Sequence, residues 1–334
     1  MVGNPLVSII ILNWNGEDIF PECLESLRSL HYEPVEILFV DNGSTDRSCN
    51  IVAKYDMARL IRLENNVGYA AGNNAGFRQA RGKYIATLNN DMVVDAAWLD
   101  EAILRLEEDS AIGIVSCRQM NYFGKSTIDG LYQVLARHLG FVPFGHNRKM
   151  NKNPLYDQPG FVLGANGGSA IYRKELIDQL QGFDERFFAY FEEIDLCLRA
   201  FAHGWKCLYV PSAVVYHKAG KRGGASFSKQ IDQYYYYRER NRIWFLFKTY
   251  PASTLIRHLV FIVLYELRIF RVVAIKNRLP LVYFRSRIHA IVGLHYFFAQ
   301  RKAIVPLIKE RMIELNIFFK RKKIPCFDIS RPEP

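Results

Sequence analysis

The chain has 334 residues, half of them hydrophobic, with 44 Lys/Arg against 33 Asp/Glu and a formal net charge of +11. That much apolar material excludes global disorder and suits one large α/β unit or two modest domains. The charge is uneven: residues 218–323 hold 23 Lys/Arg and 5 Asp/Glu, net +18, while the rest holds 21 and 28, net −7. A mildly acidic body therefore carries a basic tail.

In chain order, VSIIIL (7–12), VEILFV (35–40), ARLIRL (58–63) and KYIATL (83–88) read as buried strands. A helical stretch near 18–30 and a helix ending at Arg81 separate them. Such βαβα order predicts a mostly parallel sheet covered by helices. Residues 95–107 read as a helix, AIGIVS (111–116) as a strand and 118–160 as irregular. GANGGSAIYRKE (164–175) predicts a turn, a short strand and a helix start, and the 182–204 segment ends in a helix. WKCLYVP (205–211) is a further strand, and beyond about 230 the chain turns to long basic, aromatic helices. Six scattered cysteines without CxxC spacing point to a reducing, cytosolic protein. PLVSIIIL lacks the basic lead-in of a secretory signal. LVFIVLY (259–265), the longest clean apolar run of the tail, falls short of the ~20 residues that cross a bilayer.

The polar motifs follow strand ends, the edge where open α/β sheets bind ligands. Asn89, Asn90 and Asp91 close the fourth strand; a carboxylate there suits a hard divalent cation, and equally caps the next helix. Asp41, opening DNGSTD, can accept hydrogen bonds from a ribose or base, or simply serve a turn in which Asp46 caps a helix. NNVGYAAGNNAG (65–76) offers Gly68 and Asn74 as nucleotide contacts. Its glycines, four apart, equally suit close packing of a helix on the sheet. Glu192, Glu193 and Asp195 crowd a helix start, where mutual repulsion raises at least one pKa and one of them could act as general base. A solvated acidic helix start reads equally well. His217 closes another strand, as a metal or phosphate contact or a structural residue.

The order VSIIILNWNG, VDNGSTD, NVGYAAGNNAG, LNNDM, GGSAIYRKE, FDERFFAYFEEIDLCLR, VVYHKAG and YYYYRERNRIWF resembles the family-2 glycosyltransferases. Within them it is most similar to bacterial rhamnosyltransferase-like enzymes of cell-surface polysaccharide assembly. The resemblance implies a GT-A fold over residues 1–230 (1–92 nucleotide-binding, 93–230 acceptor) and a basic helical region over 231–334. It implies a dTDP- or UDP-sugar donor, manganese or magnesium, inversion at the anomeric carbon and a glycan or lipid-linked glycan acceptor. Leu12, Trp14 and Asp41 then contact the nucleoside, with Gly68, Asn74, Asn89 and Asn90 around the donor. Asp91 matches the last acid of the family's DxD motif, and Asn89 departs from the first. Glu193 stands where the family carries its base, usually an Asp, with Glu192 beside it and Asp195 as rival. His217 matches a histidine that completes the metal or diphosphate site.

The tail mixes Trp, Phe, Leu and Ile with Arg and Lys, a composition suited to the anionic inner face of the cell membrane. Packing on the core or a homodimer contact are the alternatives. A nucleic-acid reading would need YYYY (234–237) as a stacking platform, but no recognised nucleic-acid motif accompanies it. A catalytically inactive scaffold or polysaccharide-binding relative and a UDP-dependent hexosyltransferase stand as alternative functions.

Overall fold

The computed structural model describes residues 3–151, 153–218 and 226–320. Strands β1 (Val7–Asn13), β2 (Val35–Asn42), β3 (Ala58–Leu63) and β4 (Tyr84–Asn89) alternate with helices α1 (Phe20–Leu27), α2 (Ser48–Val52) and α3 (Gly68–Gln79). Then come β5 (Met92–Val94), α4 (Asp100–Glu108), β6 (Ile112–Asn121), β7 (Ile128–Gly130), β8 (Gln133–Leu135), β9 (Phe141–Pro143), α5 (Pro154–Asp157) and β10 (Gly160–Val162). A 3-10 turn (Gly167–Ser169) leads to β11 (Ala170–Arg173), α6 (Lys174–Leu180), α7 (Glu192–Ala202) and β12 (Lys206–His217). The tail is helical: α8 (Ser226–Thr249), α9 (Ala252–Arg257), α10 (Leu259–Ile269), α11 (Pro280–Gly293), α12 (Phe298–Glu310) and α13 (Met312–Lys320).

The main sheet runs β10-β12-β6-β11-β4-β1-β2-β3, with β5 on β12 and β7 on β6. β3, β2, β1 and β4 are mutually parallel, as are β6 and β12, and β11 enters antiparallel between the two groups. Fully buried Ile9, Ile11 and Phe39 pack on one face, and Ile10, Leu38 and Val40 on the other. Both faces are covered, which is why these strands read as unbroken apolar runs. Register matters most for function. Asn13 stands beside Asp41, and Leu12 beside both Val40 and Asn89, so three polar strand ends share one edge.

Three expectations needed revision. The helix expected from 95 starts at Asp100, because the Asp95 carboxylate accepts the Ala97 N–H in a local turn. The strand expected to stop at Pro211 continues to His217, the pairing with β6 skipping register between Val210 and Val214. A proline is tolerated at such an irregularity. The 118–160 segment holds β7, β8, β9 and α5, pieces of three or four residues too short to show a period.

The tail packs on the sheet domain through a common core. Trp244, Phe245, Phe297 and Ile308 are buried with Phe187, Ile194, Leu198 and Phe201, each such side chain contributing roughly 1.5–3 kcal/mol. Beneath them Lys248, almost fully buried, ion-pairs with Asp184 at 2.8 Å and Asp195 at 2.7 Å. The YYYY run makes ring contacts with the rest of the protein, Tyr235 buried and the other three half-buried. Tyr234 meets Tyr190 edge-on, Tyr235 is buried, Tyr236 contacts His289, and Tyr237 stacks on Phe188. No helix among the described residues is long and apolar enough to cross a membrane. Arg321, Lys322 and Lys323 of the tail, and Ala219 and Gly220 of the VVYHKAG motif, lie outside the described residues.

Candidate active site

The shared strand edge is built from two interlocked loops. Ser44 Oγ accepts the Asn15 N–H (2.9 Å), Asn15 Oδ1 accepts the Thr45 N–H (2.8 Å), and Asp46 Oδ2 accepts the Glu17 N–H (3.0 Å). Asp46 also accepts the Ser48 N–H at the start of α2, the turn-and-cap role. Asp41 behaves differently. It is buried, Oδ2 takes the Ser44 N–H, and Oδ1 accepts from no N–H or O–H among the described residues. A buried carboxylate oxygen that lacks an N–H or O–H donor is costly; the Cys49 thiol is the side chain hydrogen-bonded to this carboxylate, and a ribose hydroxyl or base N–H would be a stronger donor. Trp14, 42% exposed just past the end of β1, stands beside this loop pair.

Two expected nucleotide contacts are otherwise engaged. Asn74 Nδ2 donates to Phe183 O and Glu185 Oε1, and its Oδ1 accepts the Phe183 N–H, so its amide holds the turn at 183. Asn90 Nδ2 donates to Asn13 Oδ1 at 2.7 Å. Asn74 is therefore a structural residue, while half-buried Asn90 is tied to Asn13 through one N–H. The glycines of α3 serve close approach rather than a phosphate cradle. A Cβ at Gly72 would stand 2.5 Å from Leu12 Cδ1, and one at Gly76 2.7 Å from Ile10 Cγ2. Gly68, at φ +88°, lies under the Phe188 backbone, where a Cβ would be 2.5 Å from the carbonyl oxygen. Only glycine meets both demands there.

Beyond Asn89 the chain turns back through β5, and β12 brings His217 opposite Met92. His217 Nε2 lies 3.3 Å from Asp91 Oδ2, and Nδ1 2.8 Å from Asp129 Oδ2. Burial disfavours the imidazolium, but the two carboxylates outweigh it and raise the pKa to about 10. Adjacent ligands of an octahedral cation with ~2.1 Å bonds stand about 3 Å apart, close to the Asp91–His217 separation. Asp129 on Nδ1 sets the ring so that Nε2 faces Asp91, the outer-shell arrangement typical of metal-binding histidines. Among the described residues no three His, Cys, Asp or Glu side chains form a cluster able to hold a metal alone. Two side chains plus substrate phosphate oxygens is how magnesium-type sites are usually completed. The donor set would fit that cation with the Nε2 proton displaced on binding.

The three acids of α7 separate. Asp195 is buried in ion pairs with Arg199 (2.7 Å) and Lys248 (2.7 Å), so it joins α7 to α8 and is withdrawn as a rival base. Glu192 is buried, Glu193 half-buried, and their carboxyls lie within hydrogen-bonding range of each other. Burial raises both pKa values, and the neighbouring Glu193 charge lifts Glu192 furthest. The two carboxyls therefore titrate as one interacting pair, with Glu192 the harder of the two to ionise.

What joins the two acidic sites is a pair of residues without side chains. A Cβ on Gly167 would sit 2.9 Å from Glu193 Cγ, and one on Gly168 2.5 Å from Met92 Cε and 3.0 Å from Asn89 Nδ2. The Gly167 carbonyl accepts from Thr87 Oγ1 (3.1 Å) and Tyr69 O–H (2.9 Å). Tyr69 senses both sides: burial, then Glu192, Glu193 and Asp91, push its pKa well above the ordinary value. The 89–91 and 192–193 segments thus flank one Gly-Gly turn. Sequence reading missed Asp129, Tyr69 and this pair; the GG of GANGGS was the visible signal, since adjacent glycines often mark close approach.

With this geometry in place, residues 8–181 match the family model described as glycosyl transferase family 2. The chain belongs to glycosyltransferase family 2. Among its relatives is "O-antigen biosynthesis protein RfbC" of Myxococcus xanthus, 29% identical over 234 residues. That alignment covers 66% of this chain and 18% of the relative, and a second relative is covered to 27%. The chain thus spans roughly a fifth to a quarter of the length of these relatives. An "N-acetylglucosaminyl-diphospho-decaprenol L-rhamnosyltransferase" of Mycobacterium tuberculosis is 30% identical over 226 residues, covering 60% of this chain and 72% of that protein. Among solved structures, GalNAc-T7 with UDP, GalNAc and Mn2+ superposes with a TM-score of 0.59 at 15% identity, over 75% of this chain and 49% of that one. The family-2 chain described here has the GT-A fold, a mostly parallel mixed sheet with a helical C-terminal region.

Proposed function

We propose that this protein is an inverting glycosyltransferase that moves a sugar from a nucleoside-diphosphate donor to a glycan or lipid-linked glycan in cell-surface polysaccharide synthesis. Rhamnose is the sugar favoured, because the relative that this chain covers to 72% is named a rhamnosyltransferase. Residues 1–92 hold the nucleotide through Asp41, Trp14 and the β1 end, and 93–230 present the acceptor. Inversion in one displacement needs a base and a leaving group on opposite sides of the anomeric carbon. The Gly167–Gly168 turn, with Glu193 against one glycine and Asn89 and Met92 against the other, is the observation that carries this reading. Glu193 takes the proton of the acceptor hydroxyl as its oxygen attacks, while Glu192 keeps its own proton and orients the carboxylate. A divalent cation held by Asp91 and His217 would stabilise the negative charge left on the diphosphate. Asn89 stands beside Asp91 at the donor side, against Gly168.

A thermal-shift panel of dTDP-, UDP- and GDP-sugars with manganese or magnesium tests the assignment. One nucleotide class should raise the melting temperature, and raise it further when metal is present. No shift with any member would overturn it.

The tail supports peripheral attachment at the inner face of the cell membrane. Val260, 68% exposed, and Leu281, 83% exposed, are joined by exposed Leu264 and Leu267 on α10 and exposed Ile288 and Ile291 on α11. Arg257, Arg268, Arg271, Lys276, Arg278 and Arg285 lie along the same segments. Apolar side chains flanked by cations suit the headgroup layer of anionic lipid. The protein should co-sediment with phosphatidylglycerol vesicles at low salt, and Val260→Asp with Leu281→Asp should weaken that at least about tenfold. Equal sedimentation of the double variant, or none by the wild type, would leave these helices to other contacts.

A further inference from the structure

The segment entering α7 is held in a shape that its own residues disfavour. Phe188, Tyr190 and Phe191 have φ of +67°, +69° and +77°, and none is glycine. Bulky residues in this region cost energy and persist only where surrounding structure over-determines them. Phe191 is also the N-cap of α7 and gives no side-chain cap, although Glu192 and Glu193 follow at once. Something else must hold the turn.

That something is one face of α8. Tyr234, Tyr237, Asn241, Phe245 and Lys248 recur at spacings of three and four, which places them along one side of the helix. Each meets the turn or the residues bounding it. Tyr234 packs edge-on against Tyr190, Tyr237 stacks on Phe188 at 4.7 Å, Phe245 contacts Phe191, and Lys248 bridges Asp184 and Asp195. In the middle, fully buried Asn241 donates from Nδ2 to Phe187 O (2.8 Å), Ala189 O (2.7 Å) and Tyr190 O (2.7 Å). Arg240 Nε donates to Asn241 Oδ1 at 2.9 Å, which orients the amide, and Arg240 Nη2 reaches Phe187 O at 3.0 Å. Across the turn, the Phe188 carbonyl accepts the Ala70 N–H at the start of α3.

We propose that Asn241 is a positioning residue for the transfer reaction: its amide clasps the strained 187–191 turn and so fixes where Glu193 stands relative to the Gly167–Gly168 turn. The proposal rests on Glu193 being the base. Asn241 touches neither donor nor acceptor; it acts through three backbone carbonyls. Asparagine fits because its two N–H hydrogens, both on one atom, are shared among three converging acceptors. Aspartate has the same shape and no donor, so it would set a carboxylate against three carbonyls.

The test uses the full chain with Asn241→Asp and the milder Asn241→Ser. Turnover is measured with dTDP-rhamnose, UDP-N-acetylglucosamine and GDP-mannose, each with manganese, and amide hydrogen exchange is followed over 187–195. With the donor that the wild type uses, kcat should fall about 10- to 100-fold in Asn241→Asp and less in Asn241→Ser, while the donor KM changes less than about threefold. Exchange should quicken over 187–195 and stay unchanged in β1–β4. An unchanged kcat, or a rise in donor KM at constant kcat, overturns the proposal. If Asn241→Asp does not fold, Asn241→Ser decides by the same criteria. If the wild type turns over none of the three donors, the proposed function fails on its own. Exchange then decides the clasp: selective loss of protection over 187–195 supports it, and unaltered protection overturns it.

Discussion

Replacing Glu193 with glutamine is expected to lower transfer by roughly 10²- to 10⁴-fold, the range that general bases contribute, with nucleotide affinity nearly unchanged. Glutamine keeps the size of the side chain that lies against Gly167 but cannot accept a proton from an acceptor hydroxyl. The nucleotide edge, Asp41 and Asn13, is on other strands and is untouched. Glu192→Gln should cost much less, because the Glu192 carboxyl is the harder of the two to ionise and a neutral amide can still donate to Glu193. The pH profile separates the two. Burial raises the Glu193 pKa above the ordinary 4.5, and a base must be deprotonated to work. The acid limb of wild-type kcat should therefore lie above the ordinary carboxyl range, activity falling as pH drops through the raised value. Steady-state kinetics with isothermal titration of the nucleoside diphosphate checks both halves. Wild-type turnover by Glu193→Gln would remove Glu193 from the role.

Why Glu193 and not Asp195 could be argued in part from spacing. Residues two apart on a helix point to nearly opposite sides, so one of the pair had to face away from any cleft. The sequence does not say which, because the deciding partner, Lys248, comes from α8 more than fifty residues later. The same holds elsewhere. Strand ends were legible because apolar runs stopped abruptly at Asn13, Asp41 and Asn89, and parallel pairing then put all three on one edge. Asp129 was not legible: it lies in a three-residue strand within an aperiodic stretch, and its meaning depends on His217 arriving from β12. Asn74 looked like a ligand residue because its glycine-rich surroundings suggest a phosphate loop. Its amide is spent on Phe183, a contact over a hundred residues away. The tail shows both sides of one composition. Ile269, Val273, Ala290 and Ile308 are buried, while Val260, Leu281 and Ile288 are exposed. Helical periodicity alone could not say which apolar residues would find a partner.

The second large effect is expected at Asp91. In Asp91→Asn the side chain keeps its shape and loses its charge, and with it the anionic ligand a hard cation requires. Metal-dependent binding of the nucleoside diphosphate should weaken by at least about 100-fold, beyond the 10- to 100-fold typical of losing an outer-shell partner. Asp129→Asn supplies that smaller reference: His217 Nδ1 would keep a neutral acceptor, so metal affinity should drop only about tenfold. Calorimetry of the nucleotide that responds in the thermal-shift panel, with and without manganese, reads both variants. The wild type should gain affinity with metal, Asp129→Asn should gain less, and Asp91→Asn should bind equally in either condition. Metal-free affinity should be the same in all three, because Asp41 and the β1 end, the proposed nucleoside contacts, are unchanged. A full manganese response from Asp91→Asn would place the cation elsewhere. His217 would then be a histidine held between two carboxylates for structural reasons, and the strand ending in Asn89-Asn90-Asp91 would need another explanation for its polar triplet.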